Sequence, residues 1–200
     1  MSSNIKFWLR RKLITDAWVD NLHNRDFCIL ANDCTGGMLY HDLGMKFNTP
    51  TVNLFFQADD YIKFCSDLKA YLKEELVEIK TDKSYPVGLL GDIAIYFTHY
   101  GSFDEAKKKW TSRVERINYD NIFLLDNDRN SCSEQTIQLF EKLPYPRIMF
   151  THHKMDYPHT FYIPGFETEE SVGVILHYRS KLSISRYYDS FDFINWLNNK

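Results

Sequence analysis

Short apolar runs, unbroken by charge and too brief for a helix, recur along this chain, and each runs out into a polar loop. Phe27-Cys28-Ile29-Leu30-Ala31 leads to Asn32-Asp33-Cys34-Thr35-Gly36-Gly37, and Asn121–Leu125 leads to Asp126-Asn127-Asp128-Arg129. Thr51–Phe56, Ile93–Thr98 and Arg147–Phe150 behave alike, ending at Gln57-Ala58-Asp59, His99-Tyr100-Gly101-Ser102 and Thr151-His152-His153. A continuous apolar run suits a strand covered on both faces, which is the condition of a parallel sheet. Five such strands laid parallel would share one carboxyl edge, where open α/β sheets bind ligands.

Helical patterns lie between the runs. After Asp59 or Asp60, either of which can cap free backbone N–H groups, Tyr61, Phe64, Cys65, Leu68, Tyr71, Leu72 and Leu76 recur at helical spacing. Ser102 to Glu105 fits a capping box, as does Ser131 to Glu134. Their helices turn Phe103, Ala106, Trp110, Val114 and Ile117, then Ile137, Phe140 and Leu143, inward, and Pro144 and Pro146 stop the second. This alternation predicts a single α/β domain over 1–200, three-layered, with a mainly parallel sheet flanked by helices. In the last third, Phe161–Ile163 and Val172–Tyr178 read as strands with no helix between them, expected as antiparallel additions, and Phe191–Leu197 reads as a terminal helix.

Residues 5–22 form a peripheral helix in this reading. Ile5, Trp8, Leu9, Ala17, Trp18 and Leu22 make an apolar stripe beside Lys6, Arg10, Arg11 and Lys12. The stripe fits either an anionic membrane surface or the chain's own domain, and Asp16 and Asp20 weaken the basic face in favour of the second.

With 44% hydrophobic residues the chain has ample material for a core. A net charge of -3 supplies no global field for nucleic acid, so no nucleic-acid partner is expected. The four cysteines, Cys28, Cys34, Cys65 and Cys132, contain no C-x-x-C pair, so no metal site is assigned. Charges interrupt the start, and no apolar run approaches the roughly 20 residues that span a bilayer. A cytoplasmic protein with free thiols is expected, placed at the inner face of the membrane if the first helix touches lipid.

The polar tips hold the candidate chemistry. In Asn32-Asp33-Cys34-Thr35-Gly36-Gly37, backbone N–H groups of Gly36 and Gly37 and the Asn32 side chain can face an anion. The run matches neither a P-loop nor G-x-G-x-x-G. Cys34 in such a turn is a candidate nucleophile of depressed pKa, with His41 or His99 as base and Tyr100 beside the substrate. Asp126-Asn127-Asp128 resembles the Asp-x-Asp that holds a divalent cation on a nucleotide sugar, and Arg129 offers a planar fork to phosphate or carboxylate. His152, His153, Asp156 and His159 fit no standard zinc spacing and read as a flexible polar loop near Pro158.

Several of these segments together resemble a bacterial family built on a domain of unknown function, whose members are often labelled exopolysaccharide-biosynthesis proteins. The resemblance rests on Leu30–Tyr40, Leu43–Phe56, Tyr85-Pro86-Val87-Gly88, Leu90–Ile93, Phe97–Tyr100, Trp110–Asn118 and Asp128–Cys132. Some relatives carry an acyltransferase label. The family pattern reads Asp-Arg-Asp-Gly-Cys where this chain has Asp128-Arg129-Asn130-Ser131-Cys132, and it does not require Asp126. That shifts weight from the Asp-x-Asp triplet to Asp128 and Arg129. The resemblance implies a transferase of cell-surface polysaccharide synthesis, with acyl transfer from a thioester to a saccharide as the leading reaction. A metal-dependent glycosyltransferase using a nucleotide sugar is the second reading, and a non-catalytic module of a polysaccharide-assembly complex is the third. No cofactor is identified.

Overall fold

The structure, a computed structural model, describes residues 3–199. The chain opens with α1 (Ser3–Arg10), a π-helical stretch over Arg11–Thr15 and α2 (Asp16–Asn21), then β1 (Cys28–Ala31) and α3 (Thr35–Asp42). Next come α4 (Ala58–Ser66), α5 (Leu68–Tyr71), β2 (Leu76–Ile79), β3 (Val87–Leu90), β4 (Ile93–Tyr96) and α6 (Phe103–Val114). β5 (Ile122–Asn127), α7 (Glu134–Phe140), β6 (Arg147–Thr151), β7 (Thr160–Tyr162) and α8 (Phe193–Asn198) complete it.

The fold is α/β. A parallel four-stranded sheet in the order β1-β5-β6-β7 carries helices on both faces, and β2-β3-β4 form a separate antiparallel sheet. Alternate residues of the buried strands feed two cores, as the two-residue period of a strand dictates. Cys28, Leu30, Ile122 and Leu124 point to Phe56, Phe64, Trp110, Ile137 and Phe140. Ile29, Ala31, Phe123 and Leu125 point to Leu39, Tyr40, Tyr188, Phe193 and Leu197.

Three of the expected parallel strands are present, at 28–31, 122–127 and 147–151. Two are not. Thr51–Phe56 is apolar because it is buried, not because it pairs. Val52, Leu54 and Phe56 are buried, while Asn53 at φ 62° breaks the extended path and only Phe55 bridges to Tyr96. The segment instead serves the edge strand β1 through a side chain. The Ala31 N–H donates to Thr51 Oγ1 at 2.9 Å, and the Ile29 N–H to the Tyr40 hydroxyl at 3.2 Å. Orphan edge donors are thereby satisfied. Ile93–Thr98 contributes β4, which pairs antiparallel with β3 and lies outside the parallel sheet.

The antiparallel pairing therefore sits in residues 76–96. In the last third β7 joins β6 in parallel, through a short link that carries no helix. Val172–Tyr178 is irregular apart from a bridge between Tyr178 and Arg186. Its buried Val172 and Ile175 pack onto the second core as single side chains.

Ser102 caps α6, accepting the Glu105 N–H. The second cap lies two residues later than expected: Ser133 caps α7 and Thr136 returns the bond, so Thr136 fills the place predicted for Glu134. The Tyr61-to-Leu76 pattern is broken at Asp67 (φ −136°, ψ 55°) into α4 and α5, and Leu76 opens β2.

The first helix inverts the expected stripe. Trp18 packs edge-on against Tyr188 at 5.8 Å and Leu22 is buried, but Ile5, Trp8 and Ala17 face outward. Lys6 and Arg10 face the body instead. Arg10 pairs with Asp42 at 2.8 Å and Asp189 at 2.7 Å, and its Nη2 donates to the Tyr188 hydroxyl at 2.9 Å. A buried cation is tolerated when carboxylates and further hydrogen bonds surround it.

Candidate functional site

The carboxyl rim of the parallel sheet gathers the tips of β1, β5 and β6. In the β5–β6 register Asn127 lies opposite Phe150, so Asp128 follows onto the start of the β6 loop. There its carboxylate is fully engaged. Oδ1 accepts the Val172 N–H at 2.6 Å, and Oδ2 accepts the His152 N–H at 2.8 Å and meets His152 Nδ1 at 2.5 Å. Asp128 is buried and the His152 ring nearly so. The pair opens into a cavity of about 600 Å³ whose wall includes Cys132, Ile137, Tyr157 and Glu170.

The β5–α7 turn that presents this wall is strained. Asn130 (φ 55°) and Ser131 (φ 64°) both hold left-handed backbone. Such a conformation costs a non-glycine residue free energy and clusters at functional sites. The turn is pinned by the Ala58 N–H, which donates to the Asn130 carbonyl at 3.0 Å.

Beside the dyad, the β1 and β5 tips are cross-linked. Asn32 Nδ2 donates to Asp126 Oδ1 at 3.0 Å, and Asn127 Nδ2 donates to Asp33 Oδ2 at 3.1 Å. Asn32 Oδ1 accepts the Phe56 N–H at 2.8 Å, so Asn32 is a buried structural clamp and not a surface for substrate. Asp126 is wholly buried, with Oδ2 unpartnered among the described residues. Burial, reinforced by Asp33 and Asp128, pushes its carboxyl up to about 7. The Asp-x-Asp triplet thus points one carboxylate into the core and commits the other to His152 and Val172. A shared cation would have to displace those bonds.

Cys34 and Arg129 share this rim, and Arg129 is close enough to Cys34 and Asp33 to favour their charged forms. That attraction does not prevail at the thiol. Burial, with the Asp33 charge, pushes Cys34 up to about 11, opposite to the depressed value expected of a nucleophile in this turn. Cys132 is pushed up to about 12, chiefly by burial. Arg129 itself is half-buried and forms no ion pair among the described residues.

The remaining candidates lie elsewhere. His41 sits at the far end of α3, exposed and beside Asp42 at 3.5 Å, one helix length from Cys34. His99 is exposed past β4, outside the parallel sheet. Tyr100 is buried, its hydroxyl donating to the Val52 carbonyl at 2.9 Å and accepting from Arg113 at 2.6 Å. Gly36 is buried against β1, where an added Cβ would stand 2.6 Å from the Ala31 Cβ. Its role is close helix–strand approach. Gly37 is the less enclosed of the two, with Val52 at ordinary contact. The residue missed in the sequence is His152, read there as part of a flexible loop. Neighbouring β5 and β6 tips were the available signal, since adjacent parallel strands bring their first loop residues together.

Fold and rim together define an open parallel-sheet α/β protein with a histidine–carboxylate dyad at its carboxyl edge. The chain belongs to the family described as a domain of unknown function, DUF1919, whose model matches residues 5–198. It is 39% identical over 181 residues to a Haemophilus influenzae protein that bears only the name "Uncharacterized protein", covering 88% of this chain and 86% of that one. Neither match carries a reaction or a link to exopolysaccharide synthesis. Among the described residues no helix is long and apolar enough to cross a membrane.

Proposed function

We propose that this chain is a transferase that passes an acyl group from a thioester donor to a saccharide hydroxyl, with His152 as general base. The Asp128–His152 pair carries the reading. A carboxylate on Nδ1 holds the imidazole in the tautomer whose Nε2 accepts a proton, the arrangement used to activate hydroxyls. Nε2 takes the acceptor's hydroxyl proton as that oxygen bonds to the thioester carbonyl carbon. The carbon–sulfur bond then breaks, and the departing thiolate takes the proton back from the imidazolium. The high pKa of Cys34 and Cys132 favours direct transfer over an acyl-cysteine relay.

Arg129 supplies the cation for a phosphate-bearing donor such as coenzyme A, which it can hold through a bidentate fork. A cytoplasmic setting and a role in cell-surface polysaccharide synthesis belong to the same proposal. Thermal shift against coenzyme A and a nucleotide-sugar panel, with and without manganese, tests it. Coenzyme A is expected to raise the melting temperature, and Arg129→Ala to remove that rise while leaving the unliganded melting temperature unchanged. A manganese-dependent shift with a nucleotide sugar alone would replace this reaction by glycosyl transfer. Silence across the whole panel would count against any transferase.

A further inference from the structure

The first helix is built inside out. Its cations point to the body: Lys6 is 8% and Arg10 2% exposed. Lys6 Nζ donates to the Ser180 carbonyl at 2.9 Å and stands 4.2 Å from the centre of the Tyr178 ring. Arg10 is locked by Asp42 and Asp189. With both cations used as anchors, the apolar side chains have nowhere to go but outward. Trp8 is 57% and Leu13 64% exposed, with Phe7 also exposed beside them. The π-helical turn over Arg11–Thr15 contributes, since its wider winding changes which side chains face the body: Thr15 is buried and Leu13 is not.

A second apolar prong flanks this helix. Residues 178–186 form a small hairpin, bridged at Tyr178 and Arg186 and closed by the Ser183 N–H on the Ser180 carbonyl at 3.3 Å. Leu182 at its tip is 80% exposed. The Lys6–Ser180 bond fixes that tip alongside the helix. Isolated exposed leucines need no explanation, but a helix exposing Phe7, Trp8 and Leu13 and bonded to a hairpin tipped by an exposed Leu182 gathers several large apolar side chains in one region of the surface.

The charges around the patch select its occupant. Lys6 and Arg10 are spent on the body, so the exposed cations beside the apolar side chains are Arg11 and Lys12 on the helix and Arg179 and Lys181 on the hairpin, in a chain of net charge -3. Arg11 and Lys12 are exposed. Their nearest acid is Asp16, at 3.7 and 3.1 Å, a surface pairing of little strength. Projecting apolar prongs ringed by cations, with a tryptophan among them, suit a soft, negatively charged, partly apolar plane.

We infer that the outer face of α1 with the Leu182 hairpin docks on an anionic lipid surface. The inference is independent of the reaction proposed above. Co-sedimentation of the full chain with phosphatidylglycerol–phosphatidylcholine vesicles, set against phosphatidylcholine alone, tests it. The chain is expected to pellet with the anionic vesicles at low salt and to be released as salt rises. Trp8→Ser with Leu13→Ser, both surface changes, should lower the vesicle affinity about tenfold or more, with circular dichroism and melting temperature unchanged. Lys12→Glu with Lys181→Glu should do the same while leaving the prongs in place. Equal pelleting with both vesicle types, no pelleting with either, or variants that bind like the parent would overturn the inference. So would sedimentation equilibrium showing a lipid-free dimer that the Trp8 and Leu13 changes dissociate, because the face would then join two copies of the chain.

Discussion

Twenty-four positions separate Asp128 from His152 along the chain, and 2.5 Å separates Oδ2 of the first from Nδ1 of the second. Parallel pairing of β5 with β6 creates that contact, and the same carboxylate also anchors the backbone at His152 and at Val172. Orientation of the imidazole is therefore tied to the loop that bounds the cavity.

If His152 is the base, His152→Ala should lower the rate of acyl transfer by roughly 10²- to 10⁴-fold. Donor binding should survive, because Arg129 is untouched. The rate is read with a chromogenic thiol trap on coenzyme A release, and the binding by thermal shift. A variant that transfers at the parental rate would remove His152 from the chemistry.

Asp126 gives stability a pH signature. Its folded pKa, about 7, lies above the ordinary carboxylate value of 3.8, so the folded chain retains a proton the unfolded chain has lost. Between pH 4 and 7 the unfolded state binds fewer protons, and stability falls as pH rises. Asp126→Asn mimics the protonated carboxyl. It should lie within about 1 kcal/mol of the parent near pH 4.5 and be the more stable at pH 8.5, by on the order of 3–4 kcal/mol. Equal melting curves at both pH values would show that burial of Asp126 is fully compensated.

How far the sequence revealed this arrangement depends on the kind of signal. Phe27–Ala31 and Asn121–Leu125 were legible because a strand covered on both faces must be continuously apolar. Thr51–Phe56 carries the same composition for another reason, burial with a single backbone bridge at Phe55 in place of a strand, and composition does not separate the two. Val172–Tyr178 misleads alike. Cys34 and Arg129 share one rim because each follows a true parallel strand. His99 lies off it, because its strand turns back on β3 at Gly91, whose φ of 61° makes the tight return. His152 escaped notice because its meaning lies in a partner supplied by a neighbouring strand.

Gly36 is a packing residue, so Gly36→Ala should destabilise the chain by about 1–3 kcal/mol through overpacking against Ala31. Urea denaturation measures it. Gly37→Ala, whose added Cβ meets only Val52 at 3.4 Å, should cost distinctly less. The reverse order would return Gly36 to the substrate.

Ser131 occupies left-handed backbone, at φ 64°. Ser131→Gly should relieve that strain and stabilise the fold by about 0.5–1 kcal/mol, net of the extra freedom glycine brings to the unfolded chain. Differential scanning calorimetry reads the gain. A loss instead would mean that the serine hydroxyl makes a bond worth more than the strain.

Tyr188, Phe193 and Leu197 cover Ile29 and Phe123 on one side of the parallel sheet, more than sixty residues after Phe123 has been made. During synthesis α3 can cover part of that side early through Leu39 and Tyr40, but the part beneath Tyr188, Phe193 and Leu197 stays bare until those residues emerge. Nascent chains should therefore engage holding chaperones over that interval. Deleting α8 should yield inclusion bodies and not a shorter soluble protein, because a sheet without its cover is an aggregation surface.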